Sequence, residues 1–413
     1  NYPEAENNLG GIYRDLKRFP DSIMAFERAV TLQSKYSVAL NNLAQAQIDL
    51  NEKNRALVNF KKAICLNQTY STAHNNLGVL QQDTVFYGGA LNSYRRAFVS
   101  NPGNLRSFDN LAMLLLHIGI NEYRTESFFK GLEAINCNAK GLLFCVTRYI
   151  AHFILNEKDR AVTLEPIIKE KLKNKNCYDM SKANQVFASA YFQLVEQLFK
   201  HTPATINRAS SKTLYHLGES HALSYAHQKV MLEGQAHVVQ PVLCPGTKAW
   251  HLGNPEPSLI KELFEKQASL IPIGSNVFIS VGEIDCRQDE GILQYSLKTG
   301  TPVEEVIATT VERYIMFLTH LFADRENNVF ILGVPAPLVQ TVDTTDPLSE
   351  NNPQIGVIKS FNMHLKYLLE HTQFRFLDIY SLTATNEGIS NLKYHLDGRH
   401  LGPWALPEII KLA

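Results

Sequence analysis

The sequence predicts a two-part chain of α + α/β class, with an N-terminal helical solenoid followed by a three-layer α/β/α domain on a parallel sheet. Three observations predict it. Similar residues recur at a shift of 34 through the first third of the chain. From about residue 205 onward, short β-rich runs alternate with helical stretches, which places a sheet between two helical layers. The length of 413 residues exceeds what one hydrophobic core usually organises. The expected boundaries are a repeat array over 1–132, a helical cap and linker over 133–204, and the α/β domain over 205–413.

In the array, "NNLGGIY" from Asn7, "NNLAQAQ" from Asn41, "NNLGVLQ" from Asn75 and, more loosely, "DNLAMLL" from Asp109 superpose. Later positions keep the same shift: Ser22, Ala56 and Ala90; Phe26, Phe60, Tyr94 and Phe128; Ala29, Ala63, Ala97 and Gly131. Small residues at Ala29, Ala63 and Ala97 let two antiparallel helices approach closely, while Leu9, Leu43, Leu77 and Leu111 fill the space between successive units. One such hairpin cannot bury its apolar face alone, so the units must stack. The period and the order of small and aromatic residues resemble the tetratricopeptide repeat, which implies helix-turn-helix units and a protein or peptide partner. Asn1 falls inside a unit, so the array is expected to continue before it.

Asn8, Asn42, Asn76 and Asn110 recur at one place in the first helix of each unit. They are either a consensus feature of the repeat or a ladder along its concave face. An amide carries both donors and an acceptor, so a ladder suits the backbone of an extended peptide. It resembles the asparagine ladder in the arm of O-linked N-acetylglucosamine transferases. From 133 to about 200, apolar spacings of three and four continue in "LLFCVTRYIAHFIL" and "ANQVFASAYFQLVEQLFK", but the phase of 34 is lost.

In the last half the expected strands are "TLYHLG", "HVVQPVLC", "NVFISVG", "NVFILGV" and "FRFLDIY", with helices between them such as "VEEVIATTVERYIMFLTHLF" and "IGVIKSFNMHLKYLLEH". Ligands of such sheets bind at the strands' carboxyl ends. The polar clusters fall there: "GESH", "PGTKAWHLGN", "GEIDCRQDE" and "PAP".

Composition excludes several classes. Lys+Arg and Asp+Glu balance at 40 each, which gives no global attraction to nucleic acid or to an anionic membrane. The six cysteines lack CxxC spacing, and no run reaches the roughly 20 apolar residues that a membrane span needs. With no signal peptide in view, a reducing, cytoplasmic compartment is expected. There is no P-loop or GxGxxG to cradle a nucleotide.

Chemistry is carried by Ser220 after the first run and by Asp397 and His400 in "YHLDGRHLGP" near the end. A serine hydroxyl becomes a useful nucleophile when an imidazole takes its proton and a carboxylate holds that imidazole. A spacing of three lets one tight loop supply both partners. A metal site of His395, Asp397 and His400 is the weaker alternative, since the triad uses two of them and no HExxH helix supports it. His216, Trp250 and His251 read most simply as core or cleft wall.

"GESH", "PGTKAWHLG", "VGEIDCR" and "HLDGRHLGP" stand in the order of the four blocks of SGNH (GDSL-type) hydrolases, which residues 205–413 resemble. The resemblance implies Ser220 as nucleophile, His400 as base and Asp397 as its orienting acid. It further implies an oxyanion hole from the amides of Ser220 and Gly246, and no cofactor. Two positions depart from the family. Glu219 replaces an aspartate, and Ile284 stands where an asparagine normally donates to the oxyanion. Arg287 could replace that donor or bind substrate with Glu283, Asp285 and His221; alternatively Glu283, Asp285 and Arg287 form an internal ion network. The expected activity is a serine-dependent esterase, acyl hydrolase or acyl transferase on a small acyl or carbohydrate ester, including glycosylated polymers. The rivals are an adaptor with a degenerate domain and a glycosyl-type transferase whose arm holds a peptide.

Overall fold

The computed structural model describes residues 2–118, 141–174, 180–203, 210–338 and 352–413. They form two compact units. The first holds the described residues up to Leu116 with those of 128–147 and 167–186; the second holds 117–118, 148–166 and the described residues from Phe187 onward. The expected cap and linker is therefore divided between the two units.

Among the described residues seven helices build the array: α1 (Pro3–Asp15), α2 (Phe19–Leu32), α3 (Ser37–Asp49), α4 (Lys53–Leu66), α5 (Ser71–Asp83), α6 (Tyr87–Ser100) and α7 (Leu105–Ile118). Within each pair, the first helix ends on a left-handed residue at Lys17, Asn51 or Val85, again 34 apart. A six-residue backbone bond closes each turn: Arg18 N donates to Tyr13 O, Glu52 N to Gln47 O and Phe86 N to Gln81 O, all at 2.8 Å. This is the Schellman pattern, which satisfies carbonyls that the helix end leaves open. Val85 takes this geometry despite its branched side chain.

The small residues expected between the helices, Ala29, Ala63 and Ala97, are fully buried. A Cβ on Gly10 would stand 2.7 Å from the Phe26 ring, and one on Gly78 would stand 2.6 Å from Tyr94. Between units, Leu43 packs with Phe26, and Leu77 with Phe60 and Ala56. Each leucine so buried contributes about 1.5–3 kcal/mol. Phe128 and Gly131 of the repeat pattern lie outside the described residues.

Helices α8 (Leu142–Ile154), α9 (Lys158–Val162), α10 (Glu165–Lys173) and α11 (Lys182–His201) follow. The α8–α9 turn repeats the array's geometry, with Asn156 left-handed and Glu157 N bonded to His152 O at 2.7 Å, although the sequence phase has shifted.

The sheet runs β2-β3-β1-β4-β5-β6, from β1 (Lys212–Gly218), β2 (Lys229–Leu232), β3 (Gln235–Leu243), β4 (Asn276–Ser280), β5 (Asn328–Leu332) and β6 (Arg375–Leu377). Five strands are parallel, as expected, but β2 pairs antiparallel with β3, so the sheet is mixed. The cause is a two-residue turn at Glu233-Gly234, both with positive φ, which favours a tight hairpin. Pro241 is tolerated in β3 because β2 pairs only as far as Val238.

Alternation along the strands separates two cores. Leu217, Val277, Ile279, Val329 and Ile331 face α12 (Ala249–Gly253), α13 (Leu259–Ser269), α15 (Val303–Leu321) and α16 (Pro353–Leu369); α14 (Ile292–Thr299) adds Ile292. Leu214, Phe278, Phe330 and Leu377 face the other layer with Ile379 of α17 (Ile379–Thr383) and Leu406 and Ile409 of α18 (Leu406–Ile410). Among the described residues no helix is long and apolar enough to cross a membrane.

Candidate active site

Strand β1 lies between β3 and β4, so the order of strands reverses around it. In open α/β sheets that reversal leaves a crevice at the carboxyl ends, where ligands bind. Ser220 follows the end of β1 by two residues and opens a 3₁₀ turn, Ser220–Leu223. Gly218 is required just before it: a Cβ there would stand 2.3 Å from the backbone oxygen of Ser280 on β4. Below the site, burial pushes the pKa of His216 down to about 3, and its Nε2 lies 3.0 Å from Ser280 Oγ. It is a core histidine, as read from the sequence.

The loop 395–401 brings the two expected partners to this point. A bridge between His395 and Leu401 closes it, and Leu396 N donates to His400 O at 2.8 Å. His400 Nε2 lies 2.8 Å from Ser220 Oγ, and His400 Nδ1 lies 2.8 Å from Asp397 Oδ2. Asp397 Oδ1 also accepts from the Arg399 and His400 amides, each at 2.7 Å. Burial would raise this carboxyl's pKa, but the His400 ring and the two amides hold it well below the usual range. The three residues thus stand as a relay able to draw a proton from Ser220. His395 turns elsewhere, with Nδ1 2.8 Å from Ser390 Oγ.

Glu219 does more than support the turn. Its Oε2 accepts the Ser220 hydroxyl at 2.5 Å, and its Oε1 accepts from His221 Nδ1 in a short contact. His221 Nε2 lies 3.1 Å from Arg399 O, and its ring centre is 4.8 Å from that of His400. Burial alone would lower the pKa of His221, but the Glu219 carboxylate outweighs it and raises it. Burial would raise Glu219, and His221 reverses that and lowers it. The two form a buried ion pair beside the serine.

The second and third polar blocks meet through Asp285. Its oxygens accept from Ala249 N at 2.8 Å and Trp250 N at 3.1 Å, fixing the loop that contains Gly246. Burial raises this acid to about 6. With both oxygens occupied and the residue buried, Asp285 is placed to hold the loop rather than to meet substrate. Gly246 has φ of +69°, a left-handed geometry that glycine adopts freely.

Arg287 is spoken for: Nε and Nη2 donate to Glu283 at 3.0 and 2.6 Å, and Nη1 donates to Glu290 at 2.8 Å. Glu290 also accepts from Lys248 at 2.9 Å. The geometry matches the ion-network alternative for Glu283 and Arg287, while Asp285 serves the neighbouring amides. Glu283 still lines the small recess that includes Glu219, His221 and Ser280. Ile284 is buried and offers no donor.

One residue at the site was not foreseen. Tyr191, on α11, is buried; burial pushes its phenol far up, and the Ser220 side chain nearby acts in the opposite direction. In sequence it looks like one more apolar residue at helical spacing, and only its proximity in space reveals it.

In the array, Asn42 donates to Asn7 at 3.0 Å, Asn76 to Asn41 at 3.0 Å and Asn110 to Asn75 at 3.0 Å. Asn42, Asn76 and Asn110 therefore each tie their unit to the preceding one through its buried asparagine, Asn7, Asn41 or Asn75. Asn8 is exposed, and Asn42, Asn76 and Asn110 are half-buried, so they keep polar capacity toward solvent.

No family model and no curated protein matches the chain. Among solved structures, it is similar to the first TPR of Spaghetti (RPAP3) bound to the HSP90 peptide SRMEEVD, at 19% identity and TM-score 0.26 over 27% of this chain and 89% of that one. It is also similar to the Sgt2 TPR domain from Aspergillus fumigatus, at 20% identity and TM-score 0.27 over 27% and 76%. A crystal structure of MamA matches at 21% identity and TM-score 0.29 over 43% and 82%. The likeness concerns the N-terminal helical repeats.

Proposed function

We propose that the chain is a serine-dependent acyl hydrolase or acyl transferase, with an SGNH-type α/β domain and a repeat array that binds a protein or peptide partner. The observation that carries this reading is the Ser220–His400–Asp397 relay, with 2.8 Å at each link. Ser220 Oγ attacks the acyl carbonyl carbon as its proton passes to His400 Nε2. His400 then gives that proton to the departing alcohol oxygen, leaving the acyl group on Ser220. Water or an acceptor hydroxyl, deprotonated by His400, releases the acyl group in the second half. The amides of Ser220 and Gly246 are assigned to the oxyanion.

A carbohydrate ester is the preferred substrate. It suits a cavity of about 370 Å³ whose wall includes Trp250, Tyr295, Asn254, Glu305 and Arg313. Trp250 and Tyr295 are both partly exposed, which leaves aromatic faces for a sugar ring. Its lining begins at Trp250, on the helix that follows the Gly246 loop, and includes none of Ser220, Asp397 and His400. The exposed edge of the asparagine series is assigned to the partner's backbone.

The adaptor reading draws on Ile284 and on the engagement of Arg287. Ester hydrolysis by the full chain separates the two: the enzyme reading expects turnover that vanishes in Ser220→Ala and falls on the order of 10⁴-fold in Asp397→Asn. Equal background rates in all three well-folded proteins would leave the adaptor.

A further inference from the structure

We infer that His221 is a positioning residue: as an imidazolium it clamps the peptide unit between Arg399 and His400, and so holds the catalytic imidazole at Ser220. This rests on the acyl-transfer reading above. The sequence offers His221 as a substrate-binding group, but both of its ring nitrogens are engaged. Nδ1 meets Glu219 Oε1, and Nε2 lies 3.1 Å from Arg399 O. The residue is 7% exposed, so little of the ring is left for a substrate to touch.

A peptide unit is planar, so the Arg399 carbonyl and the His400 amide move as one body. Its two ends have different holders. The amide end donates to Asp397 Oδ1 at 2.7 Å, and the carbonyl end meets His221. Among the described residues, one other hydrogen bond joins the 395–401 loop to the segment after β1, and that is the catalytic contact of His400 Nε2 with Ser220 Oγ at 2.8 Å. Leu396 N to His400 O and His395 Nδ1 to Ser390 Oγ stay within the C-terminal stretch. His221 therefore ties the turn that carries the nucleophile to the backbone of the base, with the two imidazole centres 4.8 Å apart.

A carboxylate oxygen and a carbonyl oxygen both accept, and a neutral imidazole has only one N–H. Both contacts are satisfied when the ring carries two protons. Burial disfavours that form, but the Glu219 carboxylate outweighs it, and Glu283, which lines the same recess while accepting from Arg287, acts the same way. The other titratable neighbours are His400, paired with Asp397, and His216 and His395, which burial keeps neutral with pKa values of about 3 and 4. When rising pH removes one proton, the carboxylate keeps Nδ1–H as the stronger acceptor, and the Nε2 lone pair then faces Arg399 O. The clamp opens and His400 loses its aim. In Glu219→Gln the claim on Nδ1–H is weaker, so a neutral His221 can keep its proton on Nε2 and the clamp survives.

The test follows fluorophosphonate labelling of Ser220 in the full chain from neutral to alkaline pH, with the melting temperature recorded at each pH. The native rate should fall as His221 loses its proton, and Glu219→Gln should label without that alkaline fall. His221→Phe alone would leave the Glu219 charge buried and unpaired, so the decisive substitutions are made on Glu219→Gln. Adding His221→Phe should slow labelling, and kcat for an ester, by about 10²-fold with KM little changed, the scale expected when a catalytic group is misplaced by about 1 Å. Adding His221→Gln instead should recover most of that rate, because its amide nitrogen can still donate to Arg399 O. Equal labelling of Glu219→Gln with and without His221→Phe, at an unchanged melting temperature, overturns the clamp while leaving the acyl-transfer reading intact. Absence of Ser220-dependent labelling in the folded native chain overturns both.

Discussion

The Ser220 hydroxyl donates to Glu219 Oε2 across 2.5 Å. The same oxygen lies 2.8 Å from His400 Nε2, and a serine has one hydroxyl proton to offer. While Glu219 holds that proton, His400 cannot withdraw it. The carboxylate therefore keeps the nucleophile in a resting orientation that must turn before attack. In Glu219→Gln, the amide can donate to Ser220 Oγ and free the hydroxyl proton for His400. Fluorophosphonate labelling of that variant should be several-fold faster than native. A large fall would mean that Glu219 acts as a base itself.

The Glu219–His221 pair also sets a pH window for stability. The lowered Glu219 contributes fully above its unfolded pKa of about 4.3 and loses that contribution as pH falls through its folded value. The raised His221 contributes fully below its unfolded pKa of about 6.5 and loses it as pH rises through its folded value. Chemical denaturation of native and Glu219→Gln chains should differ most between these limits, and the difference should shrink on either side. Imidazole nitrogen shifts should report His221 protonated at neutral pH in the native chain and titrating at lower pH in the variant, where only the Glu283 carboxylate and the Arg399 carbonyl still oppose burial. A stability difference independent of pH would remove the ion pair from the account.

The asparagine contacts between units predict a stability cost separate from chemistry. Asn76→Ala leaves the buried Asn41 Oδ1 without its donor, which costs about 1–3 kcal/mol. Urea unfolding of the array should register that loss while esterase activity per folded molecule stays native. No change in stability would show that water replaces the amide freely.

Gly218→Ala tests the close approach of β1 and β4. The added methyl would meet the Ser280 backbone oxygen at 2.3 Å, and a backbone atom cannot swing aside as a side chain can. The strands must part, at a cost of about 3 kcal/mol or more, and Ser220 must shift from His400. A lower melting temperature with loss of labelling is expected; native values for both would contradict the packing.

Much of this arrangement could be read locally. Period and small-residue spacing revealed the array because the close approach of paired helices keeps Ala29, Ala63 and Ala97 small and fully buried in every unit. The partners of Ser220 were legible because each lies in a short polar block at a strand end or in a tight loop. Strand β2 was missed because four residues are too few to show alternation, although Glu233-Gly234 was a turn signal. Arg287 was open between three roles because its partner Glu290 becomes evident only when side chains are placed. Tyr191 gave no local signal, since an aromatic at helical spacing reads as one more core residue.

The most direct test of the central claim is peptide mapping of the full native chain after reaction with a fluorophosphonate. The account predicts one phosphonyl adduct, on Ser220, that disappears in Ser220→Ala and forms far more slowly in His400→Ala. A folded native chain that stays unmodified, or an adduct that persists in Ser220→Ala, would contradict it.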